Sequence, residues 1–196
     1  SSSPVGTREL NAELSKLGFD LIDAPVSGGV VKAVEGKLAI MAGGEKDSIE
    51  ACRPVFEVMG KMFVAGGSAS GHAMKAMNNY LSAATLAITS EAVITGAKFG
   101  LDPSVMVEII NASTGRSNSS EHKFPAFVLP RTFNSGFFLG LMAKDLRFAK
   151  ELAESMQTPH ELLDVITNMW DKAEEQLGFK ADNVDVYRYL ESLVEE

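Results

Sequence analysis

Residues 62–100 read MFVAGGSASGHAMKAMNNYLSAATLAITSEAVITGAKFG, and within this stretch the chain changes character. Met62-Phe63-Val64 is a short apolar run before Gly66-Gly67, which predicts a strand and its turn. From Ser70 to Phe99 the pattern predicts one long helix, stopped by Gly100. Ala83, Ala84, Ala87, Ala92 and Ala97 make it a helix of small residues, expected to be buried on several sides. Upstream, helical and strand signals alternate. Thr7 to Lys16 predicts a helix capped by Thr7, with Leu10, Leu14 and Leu17 on one side and Gly18 as its stop. Phe19 to Ile22 predicts a short strand, Lys37 to Ala42 a buried strand closed by Gly43-Gly44, and Asp47 to Met59 a further helix. Downstream, Asp102-Pro103 opens a helix to about residue 112 as N-cap and first residue. Others are expected over 141–157, 159–177 and 184–194, with Thr114 to Phe138 mostly loop. The fold expected is the trailing part of an α/β sheet over residues 1–68, then an all-α domain over 69–196 built on the long helix.

A chain of 196 residues can bury one good-sized core, or one core and part of another. No apolar run approaches the roughly 20 residues of a membrane helix, so no membrane partner is expected. The net charge of −8 argues against a nucleic-acid partner, which wants a basic face. It leaves room for a small anionic ligand, because a few local cations can dominate a pocket. The single cysteine, Cys52, excludes an internal disulfide framework and suits a reducing compartment. A cytoplasmic location is therefore expected, or the mitochondrial matrix if a transit segment precedes Ser1. His72, His122 and His160 lack metal-ligand spacing, so no metal is expected. Asn111-Ala112-Ser113 and Asn118-Ser119-Ser120 match a glycosylation pattern that recurs by chance.

Three short segments contain residues suited to chemistry. Asp23-Ala24-Pro25-Val26-Ser27-Gly28-Gly29 leads into a glycine pair, which lets consecutive amide N–H groups converge on one point and bind a carboxylate. The same pair serves equally in a turn that needs only positive φ. Gly71 to Asn79 opens the long helix, and Lys75 and Asn79, four apart, share a face. An ammonium on a buried helix is costly without a partner, so Lys75 is either a proton donor and acceptor or a lysine that snorkels to water. Phe137 to Leu146 contains Lys144-Asp145, which by itself reads as a solvated helix-start pair. There is no Gly-x-Gly-x-x-Gly anywhere, so the sequence lacks the turn that cradles a dinucleotide pyrophosphate.

Taken in this order, the three segments resemble the β-hydroxyacid dehydrogenases related to 3-hydroxyisobutyrate dehydrogenase and, more distantly, 6-phosphogluconate dehydrogenase. The resemblance implies that residues 1–68 are the remnant of a Rossmann domain, with Ser1-Ser2-Ser3-Pro4 like the tail of the family's Ser-Thr-x-x-Pro segment. It implies NAD or NADP as cofactor, met by Ser1, Phe137 and Lys144. Ser27, Gly28 and Gly29 would hold the substrate carboxylate, while Lys75 and Asn79 would contact the substrate and serve catalysis. The activity implied is oxidation of a small 3-hydroxy acid to its semialdehyde, or the reverse, in a homodimer or homotetramer. Two other readings remain: an imine reductase on the same fold, whose members generally lack a lysine at the position of Lys75, and a non-catalytic helical dimerisation fragment.

Overall fold

The computed structural model describes residues 1–194. Two compact units form, Ser1–Asn79 with Arg147–Glu161 and Tyr80–Leu146 with the chain from Leu162 on.

The first unit opens with α1 (Pro4–Lys16). Its N-cap is Ser3 rather than Thr7: Ser3 Oγ accepts from Gly6 N at 3.0 Å. Pro4 takes the first helical position, where a missing N–H costs nothing. Thr7, one turn in, is buried and donates its hydroxyl to Ser3 O at 2.8 Å. The strand expected over residues 19–22 does not form. Asp23 bridges Gly43 antiparallel, so the residues before Asp23 fall opposite the chain beyond Gly43, where β2 has ended. Pro25, which has no N–H to donate, interrupts the ladder again. What remains is β1 (Val26–Ser27), antiparallel to β2 (Leu38–Gly43). A six-residue helix, α2 (Gly29–Val34), fills the link between them.

From β2 the chain passes through α3 (Lys46–Met59) into β3 (Gly60–Gly66), which pairs parallel to β2. The sheet order is β1-β2-β3. Leu38, Ile40 and Ala42 are buried, alternating with partly exposed Ala39 and Met41, and Ile49 of α3 is buried too. That alternation is the two-residue period of a strand with one face in a core.

The long helix α4 (Ser70–Phe99) keeps the bounds read from its sequence. Its burial is more one-sided than expected. Ala76, Ala83, Leu86, Ala87, Ser90 and Val93 are buried, while Met74, Leu81 and Ile88, seven apart and so on one side, are exposed.

In the second unit Asp102 caps α5 (Pro103–Asn111), its carboxylate accepting from Ser104 N and Val105 N. The segment expected to be mostly loop contains a π-helix, Ser119–Val128. Ser117 and Ser120 cap its start reciprocally: Ser117 N donates to Ser120 Oγ at 2.9 Å and Ser120 N to Ser117 Oγ at 3.2 Å. Pro125 explains the wide turn in part. In a five-apart ladder the carbonyl that Pro125 fails to serve is that of Ser120, and Asn111 Nδ2 donates to it instead at 2.9 Å. Asn111 thus holds a turn. Then follow α6 (Leu139–Ser155), whose residues from Arg147 on fall in the first unit, α7 (Glu161–Leu177), in the second unit from Leu162, a 3₁₀ turn (Asn183–Asp185) and α8 (Val186–Ser192). Trp170, Phe124, Leu139, Leu146 and Val184 form the centre of this unit's core.

Candidate active site

Asp23 is the residue around which the first unit's candidate site is built. It is 4% exposed, and its carboxylate faces the first turn of α4. Oδ1 accepts from Ala69 N at 2.9 Å and Oδ2 from His72 N at 2.6 Å. A helix start leaves N–H groups without intrahelical partners and bears partial positive charge, so a carboxylate suits it doubly. Here the cap comes from a residue 46 positions upstream of Ala69 rather than from the preceding turn. His72 Nδ1 lies 2.9 Å from Thr7 Oγ1 and 3.8 Å from Asp23 Oδ2, tying α1 to the same junction.

The close approach needs glycine twice. A Cβ on Gly71 would lie 2.1 Å from Met41 O and 2.7 Å from Asp23 O; one on Gly43 would lie 2.6 Å from Asp23 Oδ1 and 2.7 Å from Gly71 N. Two backbones and a carboxylate therefore pass with no room for a side chain.

Four residues beyond Gly71 stands Lys75, partly exposed, and one turn further Asn79, 4% exposed, whose Oδ1 accepts from Asn78 Nδ2 at 3.2 Å. At the other end of the Asp23 segment, Ser27 sits in β1 opposite Ala39, partly exposed. Gly28 and Gly29 are exposed at φ 138° and 67°. A Cβ at Gly28 would meet Lys32 Cβ at 2.7 Å, so this turn excludes side chains sterically as well as by its dihedrals. Ser27 to Gly29, Lys75, Asn79 and the exposed Ser1 all belong to the first unit.

Phe137 and Lys144 belong to the second. Phe137 is held on both sides. Its carbonyl accepts from Asn183 N at 2.8 Å and Asn183 Nδ2 at 3.1 Å. The following residues continue the attachment, Leu139 N donating to Ala181 O at 2.7 Å and Gly140 N to Phe179 O at 3.0 Å. Before it, Asp182 accepts from Ser135 Oγ at 2.6 Å and Gly136 N at 2.7 Å. Lys144, on the second turn of α6, stands 3.0 Å from Asp145 Oδ1, with about a third of its side chain exposed. Among the described residues no three His, Cys, Asp or Glu side chains gather as a metal site, and no helix is long and apolar enough to cross a membrane.

Two features of the structure carry no signal in the sequence. The Asp23 carboxylate lay inside a recognised segment, but nothing in the spacing indicates that it caps a helix so far along the chain. Lys123, from a stretch read as loop, donates to Ser82 Oγ and to Asn183 Oδ1, both at 3.1 Å. Enclosure of its ammonium lowers its pKa to about 8, against the opposing pull of Asp182.

Comparison with known proteins agrees with this architecture. The profile described as the NAD binding domain of 6-phosphogluconate dehydrogenase matches residues 1–67. That described as NAD-binding of NADP-dependent 3-hydroxyisobutyrate dehydrogenase matches residues 69–190. The chain is 36% identical over 172 residues to the 2-(hydroxymethyl)glutarate dehydrogenase of Eubacterium barkeri, covering 87% of this chain and 57% of that protein. It is 35% identical over 197 residues to the mitochondrial 3-hydroxyisobutyrate dehydrogenase of Mus musculus, covering 95% and 58%. The 3-hydroxyisobutyrate dehydrogenase of Mycobacterium tuberculosis, solved with L-serine, superposes with a TM-score of 0.88 at 28% identity, covering 96% of this chain and 67% of that one. The chain thus spans a little over half the length of the curated relatives it matches. Its fold is that of a Rossmann-like NAD-binding portion followed by a helical domain, and the chain belongs to the 3-hydroxyisobutyrate dehydrogenase family of NAD(P)-binding proteins.

Proposed function

We propose that this chain is the substrate-handling and catalytic portion of an NAD(P)-dependent dehydrogenase acting on a small anionic 3-hydroxy acid. The reaction is oxidation of a 3-hydroxyisobutyrate-like acid to its semialdehyde, or the reverse reduction of a semialdehyde of the tartronate or succinic type, or of glyoxylate. One observation carries the reading. Asp23 anchors the first turn of the helix that bears Lys75 and Asn79, and the same segment continues into Ser27-Gly28-Gly29. The residues read as substrate-holding and proton-handling thereby belong to one unit.

In this reading Ser27 Oγ and the Gly28 and Gly29 N–H groups hold the substrate carboxylate. Lys75 Nζ takes the proton of the substrate hydroxyl during oxidation and returns it during reduction. Asn79 donates a hydrogen bond to the reacting oxygen or orients Lys75. Phe137, Lys144 and Ser1 are the residues this reading assigns to the nicotinamide cofactor, which when bound would supply hydride transfer. A ring on a braced segment and a lysine on the following helix suit that end. The pyrophosphate end needs a glycine-rich strand-to-helix turn that this sequence lacks. That lack supports the alternative reading, a non-catalytic helical dimerisation fragment of such an enzyme, and turnover is to be sought in a protein that includes a full dinucleotide-binding domain.

Residues 1–68 are the trailing part of the Rossmann domain in this reading, and 69–196 a helical domain that pairs protomers into a homodimer or homotetramer. The mouse relative is described as mitochondrial, which supports a mitochondrial location, the matrix in this reading, as an alternative to the cytoplasm. Lys75→Ala in a protein including the full dinucleotide-binding domain tests the reading. Turnover should drop by roughly a hundredfold or more, the usual size of a general acid–base contribution. Lys75→Arg should not restore it, because a guanidinium stays protonated and cannot accept the proton. Near-normal turnover in both, with chemistry rate-limiting, rules Lys75 out as the proton relay.

A further inference from the structure

Lys123 lies on the π-helix with its ammonium directed inward, between Ser82 Oγ of α4 and Asn183 Oδ1 of the 3₁₀ turn, at 3.1 Å from each. Asn183 is 2% exposed, so every polar atom of its amide needs a partner within the protein. On the far side of that amide stand three acceptors. Nδ2 donates to Ser135 Oγ at 2.6 Å, to Phe137 O at 3.1 Å and to Asp182 Oδ1 at 3.2 Å. An ammonium has only donors, and so only Oδ1 can face it. The cation and the three acceptors thus select the same one of two amide orientations.

That orientation has a mechanical result. With Oδ1 turned to Lys123, the Nδ2 group and the Asn183 backbone N–H together grip the Phe137 carbonyl. Turned the other way, the amide would aim its N–H groups at an ammonium and its oxygen at three acceptors. A purely apolar residue at position 123 would fill space without imposing this choice, and it would avoid the cost of enclosing a charge.

We propose that Lys123 and Asn183 are a pair of positioning residues: the ammonium fixes the Asn183 amide, and the amide fixes the Ser135–Phe137 segment that leads into α6 and Lys144. The inference rests on the reading of Phe137 and Lys144 as nicotinamide-side residues. Its consequence is that cofactor affinity depends on a lysine that acts through Asn183 rather than by contact.

The test uses the protein with its full dinucleotide-binding domain, comparing Lys123→Met, Asn183→Asp and the double variant. Asn183→Asp keeps a partner for the ammonium but loses both N–H donors to the segment. Each single variant should raise the cofactor KM by about tenfold, the size of one or two lost hydrogen bonds, with kcat held within about twofold. The double variant should be no worse than Asn183→Asp, because both changes act through one amide. A role in stability alone predicts instead a lowered melting temperature with parental cofactor KM and additive losses, and this result overturns the proposal. Should a core variant fail to fold, Ser135→Ala, at a partly exposed position, tests the same link, with a KM rise of about fivefold from one lost bond. Phe137→Ala and Lys144→Ala separate the two levels of the argument. If they raise the cofactor KM while the positioning variants do not, the positioning role alone falls. If they too leave KM and kcat unchanged, the nicotinamide-side reading falls and takes the inference with it.

Discussion

Asp23→Asn removes one charge and one acceptor from the start of α4 while leaving the side chain's shape almost intact. In the parent, two carboxylate oxygens serve two backbone N–H groups, of Ala69 and His72, in a site 4% exposed. The amide can serve only one; its NH₂ then faces the other N–H. A buried donor left without an acceptor costs about 1–3 kcal/mol. Losing the negative charge at the helix N-terminus adds roughly 0.3–1 kcal/mol, toward the upper end where water is excluded. The expected loss is about 2–4 kcal/mol, or on the order of 5–15 °C in melting temperature for a chain of this size. Urea unfolding of parent and variant, with unchanged slope, measures it directly. A loss below about 0.5 kcal/mol would mean that water or neighbouring groups satisfy these amides, and the capping argument would be wrong.

Four further outcomes are expected. Gly71→Ala should destabilise by about 1–3 kcal/mol or more, since its Cβ would press on two backbone carbonyls that cannot swing aside; an unchanged urea midpoint refutes the crossing geometry. Lys123 has a folded-state pKa near 8, below its unfolded value, so the unfolded chain binds more protons between about pH 8 and 10.5 and stability contributed through this group rises with pH there. The stability difference between parent and Lys123→Met should therefore increase by up to about 3 kcal/mol across that window, and a flat difference in pH-dependent unfolding counts against an enclosed ammonium. Calorimetry with NAD or NADP on this chain should show weak binding or none, for want of a pyrophosphate turn; micromolar affinity contradicts that. Leu81, Ile88, Leu101, Val105 and Ile109 of the second unit are exposed, so sedimentation at roughly tens of micromolar should show self-association, and a clean monomer speaks against it.

The helical bounds of α4 were legible because Gly100 and the Asp102-Pro103 pair punctuate it unambiguously. The start of α1 was not. Ser3 and Thr7 both offer a hydroxyl, and only Pro4 at the first helical position decides between them. The π-helix was illegible for a different reason. Its serines and Pro125 signal a break in an ordinary helix, and nothing local announces that Asn111 will supply the missing donor. The segment Asp23 to Gly29 stood out through its glycines and serine, whose conformational and polar character is local. The carboxylate's partner is not, since Ala69 and His72 meet it only after β2 and β3 have paired. Lys123 shows the same limit: a lone lysine in a polar run carries no periodic signal, and its meaning depends on Asn183, 60 positions away.

The wide turn at Ser119–Val128 also bears on how this segment can be inherited. Tightening the segment to the four-apart register at unchanged length would leave Pro125 failing to serve the carbonyl of Glu121 instead of that of Ser120. Asn111 would then reach toward an acceptor already engaged, and Lys123 would be rotated off its two partners. The wide register, Pro125, Asn111 and Lys123 therefore make up one heritable unit. In descendants of this chain, loss of the wide register should travel with replacement of all three residues, whereas ordinary point substitutions on its exposed side should accumulate independently.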